Sequence, residues 1–155
     1  MNHGEYIDIE NETDIDIDVD ALVDQAAFMF RRLHLHPETE VSILLVDEER
    51  MSQLHVEWMD EPGPTDVLSF PMDEMRAGQA DVTAAPGILG DIVLCPAFAR
   101  RQAEAQGQTL EDELALLLTH GILHCLGHDH LEPEEHALMF GLQHDLLRDW
   151  WQRND

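Results

Sequence analysis

The stretch from Leu114 to Leu126 is apolar on nearly every side, and it constrains the fold more than any other part of the chain. Thr109 precedes it as a helix N-cap, with Asp112 three residues later as the capping-box partner. Gly127 follows it, at the position where a left-handed residue commonly ends a helix. A helix with this pattern has no polar face to turn toward solvent. We therefore predict a central, buried helix around which the other elements pack.

The remaining segments alternate between strand and helix patterns. Four strands are predicted, over 5–11, 41–47, 67–71 and 90–95. Four further helices are predicted: one from Asp18 or Asp20 to about Leu33, one over 47–59, one from Pro96 to Gly107, and one from Pro133 to about Trp151. The inner face of the second helix is expected to be Met51, Leu54 and Trp58, and residues 73–87 are expected to form a surface loop. This order predicts an α+β fold, with one small mixed sheet packed with helices, as a single domain over residues 1–155.

Acidic residues dominate the charge of the chain. Thirty-three Asp and Glu stand against eight basic residues, all of them Arg, and the formal net charge is −25. Such a surface favours solubility and repels polyanions at long range, which by itself argues against nucleic-acid binding. Net charge describes the whole surface, however, and a cleft can differ from it.

The sequence lacks the patterns of export and of membrane insertion. The N-terminus has neither the basic region nor the apolar run of a signal peptide, and no stretch reaches the roughly 18 apolar residues of a membrane helix. Two cysteines, Cys95 and Cys125, cannot make a disulfide framework. We therefore expect a cytoplasmic protein with reduced thiols and no membrane contact.

Three histidines of the segment THGILHCLGHDH (119–130) have the spacing of metal ligands. His120 and His124 are four residues apart on the predicted helix, so they project from the same face. Gly127 allows the chain to turn back, and His130 can then reach the same point from the far side. Burying two histidines in an apolar helix is costly unless something pairs with them. The pattern predicts one divalent ion, best matched by zinc, with a fourth position open for catalysis.

Peptide hydrolysis is one chemistry that such a site can perform. All three histidines and Gly127 fit the metzincin protease pattern H-E-x-x-H-x-x-G-x-x-H. The Glu of that pattern, which is the general base of peptide hydrolysis, is replaced by Gly121. A peptidase would therefore lack its key residue.

The residues between the histidines carry a resemblance to a known family. Gly121, Leu123, Gly127 and Asp129 complete the signature His-Gly-x-Leu-His-x-x-Gly-x-Asp-His, and the blocks PTDVLSFP (64–71) and LGDIVLC (89–95) precede it. Together these blocks resemble the YbeY family of bacterial rRNA maturation factors over almost the whole chain. The resemblance implies a small zincin-like fold and a single-strand-specific, metal-dependent endoribonuclease. It also implies action in the cytoplasm on the 3′ end of 16S rRNA and in ribosome quality control.

One position departs from the family's pattern. Many members carry an Arg shortly before the PT[DN]VLSF block, which is associated with binding or cleaving RNA. Aligned back from Pro64, that position is Met59, and the nearest basic residues are Arg50 and Arg76. Recognition of phosphate would therefore have to move to another Arg.

Other residues near the motif have both a functional and a structural interpretation. Asp129 is either an acceptor for a ligand imidazole or a turn-stabilising carboxylate. Ser69 can donate a hydrogen bond to a substrate, although a buried strand serine is the expected role. His128 is expected to be an exposed turn residue, and Cys125 a small core residue.

The leading hypothesis is metal-assisted hydrolysis of a phosphodiester, in which the ion polarises a phosphoryl oxygen and lowers the pKa of its bound water toward ~7. His120, His124 and His130 would act through that water, and the sequence leaves open whether the water or a 2′-hydroxyl attacks. Nickel, iron and manganese are alternatives to zinc. Two rival functions are a zinc hydrolase for another substrate class, and a ribosome-assembly factor that binds a basic protein of the small ribosomal subunit.

Overall fold

Four short strands form one mixed sheet in the computed structural model, which describes residues 6–61, 63, 65–128 and 132–153. The strands are Ile7–Asn11 (β1), Glu40–Leu45 (β2), Val67–Pro71 (β3) and Ile88–Leu94 (β4). They lie in the order β1-β2-β4-β3. The first three of that order run parallel, and β3 pairs antiparallel with β4 at one edge. The prediction of an α+β fold with a small mixed sheet is confirmed.

Five helices complete the described part of the chain, and their order relative to the strands is the predicted one. They are Val19–Arg32 (α1), Glu48–Met59 (α2), Pro96–Ala105 (α3), Leu110–Cys125 (α4) and Pro133–Trp151 (α5). Asp18 caps α1 by accepting from the N–H of Ala21, and Thr109 caps α4 by accepting from the N–H of Asp112. None of these helices is long and apolar enough to cross a membrane.

Helix α4 lies at the centre, as its sequence predicts. It packs against β3, β4, α1, α3 and α5. Leu118, Ile122 and Leu123 are almost completely buried in the main core cluster, which they share with Ile92 of the sheet. Because nearly every side of the helix contacts another element, the two histidines on it are held by a rigid scaffold.

The side chains of β3 and β4 alternate between the two faces of the sheet. Ile92 belongs to the cluster on the α4 side, whereas Leu68 and Val93 pack with Met51 and Leu54 of α2 in a second cluster. Helices α2 and α4 therefore cover opposite faces. This separation fixes which residues can reach the histidines.

Trp58 corrects one prediction about α2. Its spacing places it on the same side of the helix as Met51 and Leu54, but its side chain is 61% exposed and lies edge-on to Phe70 at 5.9 Å. Helical periodicity gives the direction of a side chain and not the extent of the sheet beneath it. Phe70 belongs to β3, the edge strand of the sheet formed by the described residues, so that sheet ends beneath Trp58.

Residues 73–87 form the predicted surface loop, with a single isolated bridge between Gln79 and Val82. Met75 and Ala84 anchor the loop to the domain by packing in and against the main core cluster. Met75 is buried in the main core cluster, only 7% exposed. The residue after it, Arg76, is therefore held close to the core while its own side chain stays accessible.

Candidate metal and active site

His120 and His124 lie half-buried on the last two turns of α4. Their ring centroids are 6.0 Å apart and their planes meet at 77°. Two imidazoles on one tetrahedral zinc ion, with bonds of roughly 2.0–2.1 Å, would have ring centroids about 5 Å apart. The observed pair lies within about 1 Å of that spacing and on one face of the helix, as two ligands of the same ion would.

Gln143 of α5 holds the first of these rings. Nδ1 of His120 lies 3.0 Å from Oε1 of Gln143, whose side chain is 6% exposed. With the amide oxygen of Gln143 facing the ring, Nδ1 of His120 is the donor, and the lone pair of Nε2 is then the one directed away from Gln143. Histidines that ligate metals are oriented in this way by a partner of the other ring nitrogen.

Gln143 was missed by the sequence analysis, although the sequence contains a signal for it. It follows Met139 by four residues and precedes Leu147 by four, and both of these are buried. A long polar side chain on the buried face of a helix needs a hydrogen-bonding partner. Local patterns could not identify His120 as that partner, because the crossing of α4 and α5 is a tertiary feature.

Ser69 and Gly121 meet where β3 packs against α4. A Cβ atom on Gly121 would lie 2.9 Å from Cγ2 of Ile92 and 3.2 Å from Oγ of Ser69. Ser69 is half-buried rather than fully buried. The close approach of helix and sheet thus occupies the space in which the Glu side chain of a protease would begin.

Arg76 reaches the turn that follows α4. Its Nη1 donates to the carbonyl oxygen of Met75 at 3.0 Å and to that of Leu126 at 3.5 Å. Gly127 has a φ of +92°, and a Cβ atom there would lie 2.7 Å from Nη1 of Arg76. A guanidinium group therefore lies within one helical turn of His124, in a place that only a glycine leaves open.

His128 is half-buried in the same turn, and the expectation of an exposed residue is wrong. Burial lowers the pKa of its imidazole, and the positive charge of Arg76 lowers it further. The turn is packed because the loop that carries Arg76 folds over it. The pattern of the turn residues alone could not show this cover.

Cys125 lies next to His124 in the chain and points into the core. Its side chain is 2% exposed. Burial, and to a smaller extent the negative charge of Asp91, raises the pKa of its thiol to about 12. A metal ligand has to be the thiolate. Cys125 is therefore a core side chain, in agreement with its predicted role.

Asp129 and His130 lie outside the described residues. The convergence of the third imidazole with the other two, and the role of Asp129, accordingly stay predictions. Within the part of the chain that the structure describes, no group of three His, Cys, Asp or Glu side chains is arranged to hold an ion.

Met59 ends α2 and is 43% exposed, on the face of the sheet opposite α4. It lines an open groove there together with Trp58 and Arg50. The same groove is lined by four carboxylates, those of Asp8, Glu10, Glu12 and Asp91. The four carboxylates lie on the α2 face of the sheet, whereas Ser69, which also lines the groove, approaches α4 at Gly121.

Comparison with known proteins gives a consistent result. A family model described as Endoribonuclease YbeY matches residues 6–151. Curated proteins named Endoribonuclease YbeY are similar to the chain, including those of Thermobifida fusca (56% identity, covering 93% of each chain) and Leifsonia xyli (58% identity, covering 91% of this chain and 92% of the relative). The solution structure of a Thermotoga maritima protein is similar with a TM-score of 0.64 and 28% identity, covering 94% of this chain and 89% of the other.

Proposed function

The chain belongs to the YbeY endoribonuclease family, and we propose that it is a zinc-dependent hydrolase that cleaves single-stranded RNA. In this proposal residues 1–155 form one nuclease domain, which acts in the cytoplasm on the 3′ end of 16S rRNA and in ribosome quality control. The observation that carries the proposal is the pair of imidazoles 6.0 Å apart at the end of a buried helix. Gln143 orients one of them as a ligand is oriented.

His120, His124 and His130 are the proposed ligands of the ion and the proposed catalytic residues. A divalent ion bound there would polarise a phosphoryl oxygen and lower the pKa of a coordinated water toward ~7. Three imidazoles with one open position are typical of catalytic zinc, although nickel, iron and manganese also accept imidazole. The protein contributes a rigid helix and a fixed tautomer at His120.

Ser69 and Asp129 are proposed to assist the ligands. Ser69 Oγ lies beside α4 at Gly121, where it can donate a hydrogen bond to a strand of RNA that crosses the helix end. Asp129 is proposed to accept a hydrogen bond from a ligand imidazole. With Gly121 in place of a Glu, hydrolysis of peptides has no general base at this position.

The small ribosomal subunit and its proteins are the proposed partners. The acidic groove on the α2 face carries Asp8, Glu10, Glu12 and Asp91 with apolar side chains between them. A groove of this charge repels RNA and attracts a basic protein. RNA and protein would then be held on opposite faces of the sheet.

Incubation of the purified protein with single-stranded and double-stranded RNA, with and without a chelator, tests this function. We expect about one zinc per chain, cleavage of the single strand only, and loss of cleavage when the chelator removes the metal. Restored cleavage on adding zinc is the matched control. A zinc-loaded protein that cleaves no RNA, yet retains small-subunit proteins in a salt-sensitive pull-down, would instead favour an assembly factor.

Gln143→Leu is expected to weaken zinc binding by about 10–100-fold, because His120 loses the acceptor that fixes its tautomer. Competition with a chromophoric chelator measures the affinity. Gln143→Glu keeps an acceptor oxygen and is expected to retain most of the zinc affinity. Equal zinc affinity in the Leu variant and the unmodified protein would show that Gln143 does not orient the site.

A further inference from the structure

Arg76 is distinguished by the place of its guanidinium, which lies at the turn that follows α4. Arg32, Arg101 and Arg148 each form ion pairs with carboxylates. Among residues 6–61, 63, 65–128 and 132–153, Arg76 forms no ion pair with a carboxylate, and neither do Arg31, Arg50 and Arg100, although the chain carries 33 acidic residues. Of these four, Arg76 contacts the turn that follows His120 and His124, so it is the candidate for binding an anionic ligand there.

Its geometry leaves one edge of the guanidinium open. Nη1 is used by the carbonyl oxygens of Met75 and Leu126, whereas Nη2 and Nε have no hydrogen-bonding partner among the described residues. The two contacts fix the plane of the group, and the burial of Met75 fixes its backbone. Nη2 and Nε together present the paired donors that match two oxygens of a phosphate.

The open edge of the guanidinium lies near the end of α4 that carries the two histidines. Leu126, whose carbonyl oxygen accepts from Arg76, is two residues after His124 and caps α4. Gly127 leaves the space in which the guanidinium lies. The carboxylates of the acidic groove lie on the other face of the sheet, whereas Arg76 lies at the turn that follows the two imidazoles.

From these contacts we infer that Arg76 binds a phosphate of the RNA strand beside the bond that is cleaved. The inference rests on the proposed nuclease function and adds to it the residue that recognises the backbone. A contact with one phosphate carries no sequence information, so Arg76 holds any single strand in register with the ligand histidines. Such a contact also contributes to the salt dependence of binding.

The test is RNA binding by the zinc-depleted protein, with a short labelled single-stranded RNA as the probe and salt concentration as the variable. Arg76→Ala is expected to lower the affinity about tenfold, and to reduce the slope of log affinity against log salt by about 0.7, the value for one phosphate on a single strand. Arg76→Lys should restore the salt slope and only part of the affinity, because a lysine lacks the paired N–H donors of a guanidinium. In the zinc-loaded protein Arg76→Ala should raise KM.

Two further variants and a stability measurement make the outcomes decisive. Arg100→Ala removes an exposed arginine of α3 with the same change in net charge and should leave binding within twofold. A structural role for Arg76 alone would lower the urea midpoint and leave the salt slope unchanged, which would overturn the inference. So would a loss of binding in Arg50→Ala with none in Arg76→Ala.

If the unmodified protein cleaves RNA and the Arg76 variants match it, the inference fails and the nuclease function stands. If the unmodified protein neither binds nor cleaves RNA, both fail.

Discussion

His120→Ala and His124→Ala should each lose the bound zinc and the cleavage of RNA while keeping the fold. Each change removes one of three proposed ligands, so the loss of affinity should exceed the ~10–100-fold that follows removal of an outer partner. The helix itself should persist, because its stability comes from the burial of Leu118, Ile122 and Leu123 and not from the half-buried imidazoles. Metal analysis, a cleavage assay and far-ultraviolet circular dichroism measure the three effects.

His144 offers a matched control for these variants. It lies exposed on α5, one residue after Gln143, and His144→Ala should change neither metal content nor cleavage. The double variant of His120 and His124 gives the sharpest version of the experiment. Full cleavage of RNA by that protein in its metal-free form would contradict the assignment of the metal to catalysis.

The second large effect is expected at Gly121, where a side chain has no space. Gly121→Glu would introduce the protease residue into the pattern, but its Cβ would lie 2.9 Å from Cγ2 of Ile92, and its carboxylate would enter a packed boundary between helix and sheet. Overpacking costs about 1–3 kcal/mol and burial of an uncompensated charge adds several more. We expect the free energy of unfolding to fall by at least about 3 kcal/mol, with no gain of peptide hydrolysis.

Gly141 makes the comparison interpretable, because it is a helical glycine with no neighbouring atom within 4 Å of a Cβ. Gly141→Ala should raise the free energy of unfolding by about 0.5–1 kcal/mol, since alanine is the better helix former. Gly121→Ala makes the same chemical change and should lower the free energy of unfolding. Urea denaturation of both variants measures the difference. The same sign of change at the two glycines would refute the packing argument at Gly121.

Sequence patterns predicted the elements and the central helix well, since these depend on local periodicity and caps. Asp18, Thr109 and Gly127 marked helix ends that the structure retains. The failures concern what lies next to a residue in space. Trp58 was expected to be buried because periodicity does not reveal where a sheet ends. His128 was expected to be exposed because nothing local reveals the loop that covers it.

At the candidate site, too, sequence patterns predicted the local arrangement and missed the tertiary contacts. The spacing of His120 and His124 was sufficient to pair them on one face of a helix. Gln143 lies 23 residues after His120, and Arg76 lies 50 residues before Leu126. Both contacts join segments far apart in the chain, so they depend on how helices and loop pack. A composition that argued against RNA could not show that one arginine lies at the turn beside the proposed ligands.

The late position of α4 in the chain has a consequence for biosynthesis. β1, β2, β3 and β4 are all translated before it, yet the main core cluster of the sheet closes only when α4 packs on Ile92. A nascent chain that ends before α4 has emerged exposes that apolar face and is vulnerable to aggregation and proteolysis. Gln143 emerges later still, on α5. The proposed zinc site therefore matures last, so a truncated translation product would carry no active nuclease.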